Sequence, residues 1–216
     1  MTELDGNLFY ETTDTRELSL PADRFEPWDW TGVDIRKESL WSDGQVRADS
    51  IQAKAADHYR TGGFEIVFDD DDSGEAADLV CVTEEADRIR LALVHCKFTT
   101  ATTAGERVKD VVEVCSQAVR SAKWVADFKR LCRHITERET RLRHADRPTR
   151  FLTGNAARLN TLLRASRFKP VHAEIVIIQP GLSQQDCTVE QTAVLAAAHS
   201  YLLETVAVPL DIVCSS

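Results

Sequence analysis

Residues 76–98, AADLVCVTEEADRIRLALVHCKF, constrain the fold of this chain more than any other stretch. Two apolar runs rich in Val, Leu and Ile are separated by the charged segment EEADR, the pattern of two strands joined by a turn. FEIVF at residues 64–68 supplies a strand before them, so the centre of the chain reads as a β-meander. Side chains alternate along a strand, which places His95 and Lys97 on one face and Cys96 on the other. The midpoint between Asp78 and Lys97 falls between Asp87 and Arg88, inside or beside the charged turn. Asp78 and Lys97 are therefore expected at or near opposing positions, within a few ångströms, at the open end of an apolar hairpin.

Helical periodicity flanks this meander. QVRADSIQAKAADHYRTGG predicts a helix of about four turns ended by Gly62 and Gly63. Asp49 is a candidate N-cap there. ERVKDVVEVCSQAVRSAKWVADFKRLCRHI predicts one long amphipathic helix, with Val108, Val111, Cys115, Ala118, Ala122 and Val125 as its apolar stripe. Gln117 lies off that stripe, in line with Asp110, Glu113 and Trp124. After a basic, loop-like stretch the chain becomes helical again, then reads as a strand ended by Pro180-Gly181, a helix and a last strand, PLDIVC. A mixed sheet flanked by helices follows, of class α/β. Residues 1–44 read as an N-terminal arm packed on a core domain of residues 45–216, with a hairpin around Thr13-Asp14-Thr15 and with Trp28 and Trp30 clamping the arm.

The 216 residues carry a net charge of −9, distributed unevenly. Residues 1–94 hold nine Lys or Arg against 23 Asp or Glu; residues 95–170 hold 17 against seven; residues 171–216 hold none against five. Such segregation either builds a local positive surface for nucleic acid or neutralises itself inside the fold. The basic candidates for phosphate contact are Arg107, Lys109, Arg120, Lys123, Arg147 and Arg150. Six cysteines with no CxxC pair argue against a zinc knuckle or a disulfide framework. The tetrad Asp69–Asp72 invites a calcium loop, but the position that needs the bidentate Glu is Val80. The acidic N-terminus lacks a signal-peptide core and no apolar run reaches eighteen residues, so a cytoplasmic protein without a membrane span is expected.

GEAADLV, HCKF and VCSQAVRSAKW, in the element order αβββαβ, resemble the PD-(D/E)XK restriction-endonuclease-like superfamily. EIVIIQPGL and SYLLETVAVPLDIV extend the likeness to nuclease domains found with superfamily 2 helicases in bacterial defence operons. The resemblance implies a restriction-endonuclease-like core with an extra helix and strand. It also implies metal-dependent hydrolysis of DNA with Mg²⁺ or Mn²⁺, and a helicase or another defence-system subunit as partner. It assigns Asp78 and the backbone carbonyl of Cys96 to the metal, Lys97 to the attacking water, and Gln117 to phosphate or Lys97. Asp49 and Gln52 fall where the superfamily often has a metal-binding Glu on the first helix. His95 departs from the pattern, which has an acid there. His95 is thus read as a ligand favouring a softer metal, as a neighbour of a shell completed by Glu75 or one of Asp69–Asp72, or as the mark of a degenerate site that binds nucleic acid or a partner protein without cleavage. DNA against RNA, endo against exo action and oligomeric state stay open.

Overall fold

The computed structural model describes residues 2–4, 7–9, 20–42 and 44–216. The turn expected at Thr13–Thr15 lies outside the described residues; an antiparallel ribbon pairs β1 (Thr2–Leu4) with β2 (Asn7–Phe9). A single 3₁₀ turn at Ala22–Arg24 leads into β3 (Phe25–Trp28), and β4 (Trp41–Ser42) pairs with β5 (Gln45–Val46) in a second small ribbon. Then come α1 (Ile51–Thr61), β6 (Ile66–Asp69), β7 (Leu79–Glu84), β8 (Ile89–Cys96), α2 (Val108–Arg120), α3 (Ala122–Val125) and α4 (Phe128–His144). β9 (Phe151–Thr153), α5 (Ala156–Ala165), β10 (Val171–Ser183), α6 (Val189–Val206) and β11 (Leu210–Ser215) complete the order.

Seven strands form one mixed sheet in the order β3-β11-β10-β8-β7-β6-β9. β3, β11, β10 and β8 run parallel; β7, β6 and β9 continue the sheet antiparallel. Residues 25–28 are thus the edge strand of the main sheet. The alternation of apolar residues builds a three-layer core. Leu79, Cys81, Ala92, Val94, Val176 and Val213 face α1, packing on Ile51, Ala55 and Tyr59. On the other face Val80, Val82, Leu91 and Leu93 meet α4 and α5, and Ile175, Ile177 and Ile212 meet α2 and α6. Burial on both faces explains why β8 carries an almost unbroken apolar run.

Several element boundaries differ from the periodicity reading. Ser50, not Asp49, caps α1, its hydroxyl accepting the Ala53 N–H at 3.1 Å, and residues 45–46 become β5. The expected long helix is broken into α2, α3 and α4. Ser121, fully buried, sits at the first break, and Asp127 caps α4 by accepting the Arg130 N–H. β10 runs through Pro180-Gly181 with an irregularity after Ile178 instead of ending there. Five of the six cysteines are buried and all are free thiols. Trp28 stacks on His58 with centroids 4.5 Å apart, and the Trp30 indole donates to the Cys214 carbonyl, strapping the segment around β3 onto α1 and β11. Among the described residues no helix is long and apolar enough to cross a membrane.

Gly154, between β9 and α5, has φ 76°, and a Cβ there would lie 2.4 Å from the Glu65 carbonyl oxygen. Gly154→Ala therefore combines left-handed backbone with a clash against main chain. It is expected to lower the unfolding free energy by about 2–4 kcal/mol in urea denaturation.

Candidate metal centre at the open end of the sheet

The end of β6, the start of β7 and the end of β8 lie at one end of the sheet because β7 runs antiparallel to both neighbours. The loop between β6 and β7 carries the acidic cluster, and its shape is set by Asp70. That side chain is fully buried, with its carboxylate accepting the Ala76 N–H at 2.7 Å. Arg138 Nε of α4 lies 2.8 Å from one carboxylate oxygen and His134 Nε2 2.8 Å from the other. Arg138 also donates to the carbonyls of Asp70 and Ser73, both at 3.0 Å, and the Asp70 N–H donates to the Asp78 carbonyl at 2.9 Å. The loop's buried carboxylate and two of its carbonyls are thereby tied to α4.

With Asp70 turned inward, Asp71, Glu75 and Asp78 project together, one carboxylate oxygen of each within 4.8 Å of the others. Gln52 fixes the first of them. Its Oε1 accepts the Leu40 N–H at 2.8 Å while its Nε2 donates to Asp71 Oδ2 at 2.9 Å, which orients the amide without ambiguity. Asp78, 2% exposed, accepts the Cys96 N–H at 2.6 Å. None of the three carboxylates forms an ion pair among the described residues. Burial pushes the Asp78 carboxyl well above its usual range against the pull of the Cys96 N–H, and Asp71, Glu38 and Glu75 push it further. Burial likewise raises Glu75, with Asp71 and Asp70 adding to it and Arg120 opposing. Three converging oxygens with uncompensated charge suit a hard divalent cation such as Mg²⁺ or Mn²⁺, so the residues fit the metal that the sequence implies.

The hairpin register differs from the midpoint argument. Leu79 pairs with Val94 and Glu84 with Ile89, with Glu85 N–H to Arg88 carbonyl closing the turn at 2.9 Å. The tight turn moves the centre of the hairpin by one position, so Asp78 lies opposite His95 rather than Lys97. Lys97 pairs instead with Glu38 at 3.2 Å and Glu113 at 3.1 Å. Burial is the largest influence on the Lys97 ammonium and pushes its pKa down, but Glu38 and Glu113 together outweigh it and the net shift is upward. Glu38 also accepts the Phe98 N–H at 3.0 Å. Its charge raises Asp78, so Lys97 and the acidic group are linked through one carboxylate.

His95 is not among the metal donors. It is 2% exposed, its Nε2 lies 2.5 Å from Ser121 Oγ, and Ser121 in turn donates to the Ala76 carbonyl at 2.9 Å. With the hydroxyl proton committed to Ala76, Nε2 is the protonated ring nitrogen. Burial, with Arg120 adding, lowers the His95 pKa to about 3. His95 is thus a neutral core group that props the residue carrying the Asp70 contact. Gln117 sits on α2 one turn after Glu113, and its Oε1 is buried without a partner. Cys96 reaches Asp78 through its N–H, and its thiol side chain is in the core facing α1.

The remaining candidates divide. Asp49 is held by Lys37 at 2.5 Å rather than joining the cluster. Arg150 pairs with Asp69 and stacks on Trp41, so it neutralises a buried acid instead of facing solvent. Arg107 binds Asp110 and Thr100, and Lys109 lies 3.6 Å from Glu113. Arg120 is exposed and electrostatically close to Glu75; Lys123 lies over Trp124, and Arg147 is exposed beside a cavity lined by Asp72 and Arg138. Much of the charge segregation is internal neutralisation, as in Glu65 with Arg158 and Glu84 with Lys169. The sequence reading passed over Glu38, Glu113 and His134. Only Glu113, aligned with Gln117 on the helix, carried a signal. Comparison of the chain with protein-family models, with curated proteins and with solved structures finds no match.

Two outcomes follow from this electrostatic arrangement. Native Asp78 binds its proton more tightly than unfolded Asp78, so its contribution favours folding at low pH and is lost as pH rises from about 4 through the raised native value. Asp78→Asn is therefore expected to be more stable than wild type at pH 8 in EDTA, with the difference vanishing near pH 4, as read by urea denaturation. Arg138→Leu leaves Asp70 buried without its guanidinium and should cost about 3–5 kcal/mol, part of which Asp70→Asn in the same chain restores.

Proposed function

We propose that this chain is a divalent-metal-dependent nuclease acting on DNA, with a restriction-endonuclease-like core. The observation that carries the reading is the convergence of Asp71, Glu75 and Asp78, unpaired and partly desolvated, at the sheet end where Lys97 leaves β8. The run α1-β6-β7-β8-α2, followed by β10 after α3, α4, β9 and α5, supports the αβββαβ order of the superfamily that the sequence resembles. In this reading the missing acid at His95 is replaced by Asp71 and Glu75 of the preceding loop.

Asp71, Glu75 and Asp78 would hold the metal, which when bound supplies a Lewis acid for the phosphate and an acidified water. Gln52 keeps the Asp71 carboxylate oriented toward the other two. Lys97, held as an ammonium by Glu38 and Glu113, acts as a fixed positive charge near the phosphate rather than as a base. Gln117, whose buried Oε1 has no hydrogen-bond partner, is assigned to Lys97 or phosphate on the strength of the resemblance alone. Arg120, Lys109 and Lys123 supply exposed charge for the polynucleotide backbone. A helicase or another defence-system subunit that delivers the substrate completes the proposal, on the strength of the resemblance. A second reading, a subunit of this fold that binds nucleic acid without cleaving it, is favoured by one observation: Lys97 is already saturated by two carboxylates.

Cleavage of plasmid and oligonucleotide DNA in Mg²⁺ or Mn²⁺ decides between them. Asp78→Ala and Lys97→Ala are each expected to lower the rate at least about 100-fold, while His95→Asn, tested at a temperature where it is folded, stays within about fivefold of wild type. Equal rates for wild type, Asp78→Ala and Lys97→Ala would remove the catalytic assignment. Salt-dependent DNA binding without cleavage in any protein would select the second reading.

A further inference from the structure

At the opposite end of the sheet, between α1 and the strands β3, β11, β10 and β8, lies a cavity of about 340 Å³. Its residues come from the start of β11 (Asp211), the N-terminal half of β10 (Glu174), the second residue of β8 (Arg90) and the last turn of α1 (His58, Tyr59). The acidic cluster lies beyond the other ends of β8 and β10, so the two sites share strands but no residues.

The cavity combines aromatic walls with surplus negative charge. Trp28, His58, Tyr59 and Phe64 line it in a chain of contacts, the first tilted and the next two edge-to-face, with centroids 4.5 Å, 5.2 Å and 5.4 Å apart. Four carboxylates (Asp23, Glu26, Glu174, Asp211) face two guanidiniums (Arg24, Arg90). Both guanidiniums are ion-paired: Arg90 binds Glu174 through two contacts of 2.6 and 3.0 Å, and Arg24 binds Asp211 at 3.1 Å, its Nε being buried without a hydrogen-bond partner. Arg90 also lies 4.9 Å over the Phe64 ring. That leaves Glu26, which accepts the Trp28 indole N–H at 2.9 Å, and Asp23, 3.9 Å from the Arg24 Nε, as exposed charge at the mouth. The outer surface of the same tryptophan already carries an ammonium, since Lys54 Nζ sits 5.7 Å from the rings of both Trp28 and Trp30.

An anion would meet four carboxylates and only guanidiniums that are already ion-paired. A neutral apolar ligand would cover the Glu26 carboxylate with only the Trp28 indole N–H against its charge. A slender aliphatic ammonium satisfies every wall: its methylenes lie along the aromatic faces and its charged ends meet carboxylates. We infer that this cavity is a binding site for linear aliphatic diamines and polyamines, with Glu26 and Asp23 as the carboxylates that take the ammonium. Arg90 and Arg24 are positioning residues, holding Glu174 and Asp211 in place along the walls. The inference does not depend on the nuclease reading and concerns no residue used in it.

The test uses the full chain and calorimetry with 1,6-diaminohexane, spermidine and, as the uncharged control of equal length, 1,6-hexanediol. Saturable binding of both amines, absent for the diol and weakened about fivefold or more in Glu26→Gln and again in the Asp23→Asn, Glu26→Gln double variant, is the expected result. Both substitutions are at exposed positions, and unchanged thermal melting shows that they remain folded. Glu75→Gln, at the other end of the sheet, is expected to bind the amines as wild type does, which separates this site from non-specific attraction to an acidic protein. Equal heats for diamine and diol, or amine binding indifferent to Glu26→Gln, or amine binding lost in Glu75→Gln, would overturn the assignment.

Discussion

The contact between Asp70 and Arg138 organises the end of the sheet that carries the candidate metal centre. A carboxylate with no exposed surface is tolerable only with its charge matched and its lone pairs engaged; Arg138 supplies the charge, and His134 and the Ala76 N–H the hydrogen bonds. The consequence is geometric. Because Asp70 turns inward and Arg138 also grips the Asp70 and Ser73 carbonyls, the next residue, Asp71, projects from the loop, and Asp71, Glu75 and Asp78 converge. Ser121 and His95 support the same loop from beneath by holding the Ala76 carbonyl. The polar residues behind the site thus serve its shape, while the three in front retain unspent charge.

That unspent charge has a thermodynamic cost which the rest of the fold offsets. Asp78 and Glu75 are desolvated beside like charges, and a large two-faced apolar core lies directly behind them. Local destabilisation of this kind is common where a ligand supplies the missing opposite charge. Lys97 shows the contrast: it too is partly buried, but two carboxylates keep it charged, and one of them, Glu38, belongs to a segment far from it in sequence. The sheet therefore carries, at one end of the same strands, acids with no ion-pair partner among the described residues and a cation supplied with two.

The main strands were legible because burial imposes apolar runs on them, and α5 and α6 because their helical pattern is uninterrupted. The single long helix was not, because α2, α3 and α4 continue one another's periodicity and the break depends on where Ser121 finds a buried acceptor. β9 was missed: three residues at a sheet edge carry too little pattern to stand out from the loop. At the candidate site Asp78, Glu75 and Gln52 stand in the cluster or touch it, whereas His95, Asp49 and Arg150 do not. Nearness in sequence to Lys97 made His95 conspicuous, but a strand that enters a buried layer can direct a histidine into the core one residue before its end.

By itself the amino-acid sequence determined the α/β class, the meander, and the gathering of acids before β7 and a lysine after β8, because alternation and turn chemistry are local. Only the tertiary structure decided which acids are paid off internally and which remain. Asp69, Asp70, Asp71 and Asp72 are the same residue four times over, and nothing local distinguishes them. Their fates depend on Arg150, Arg138 and Gln52, which lie 81 residues after Asp69, 68 after Asp70 and 19 before Asp71. Electrostatic partnership acts through space, and space is set by the packing of α1 and α4 against opposite faces of the sheet.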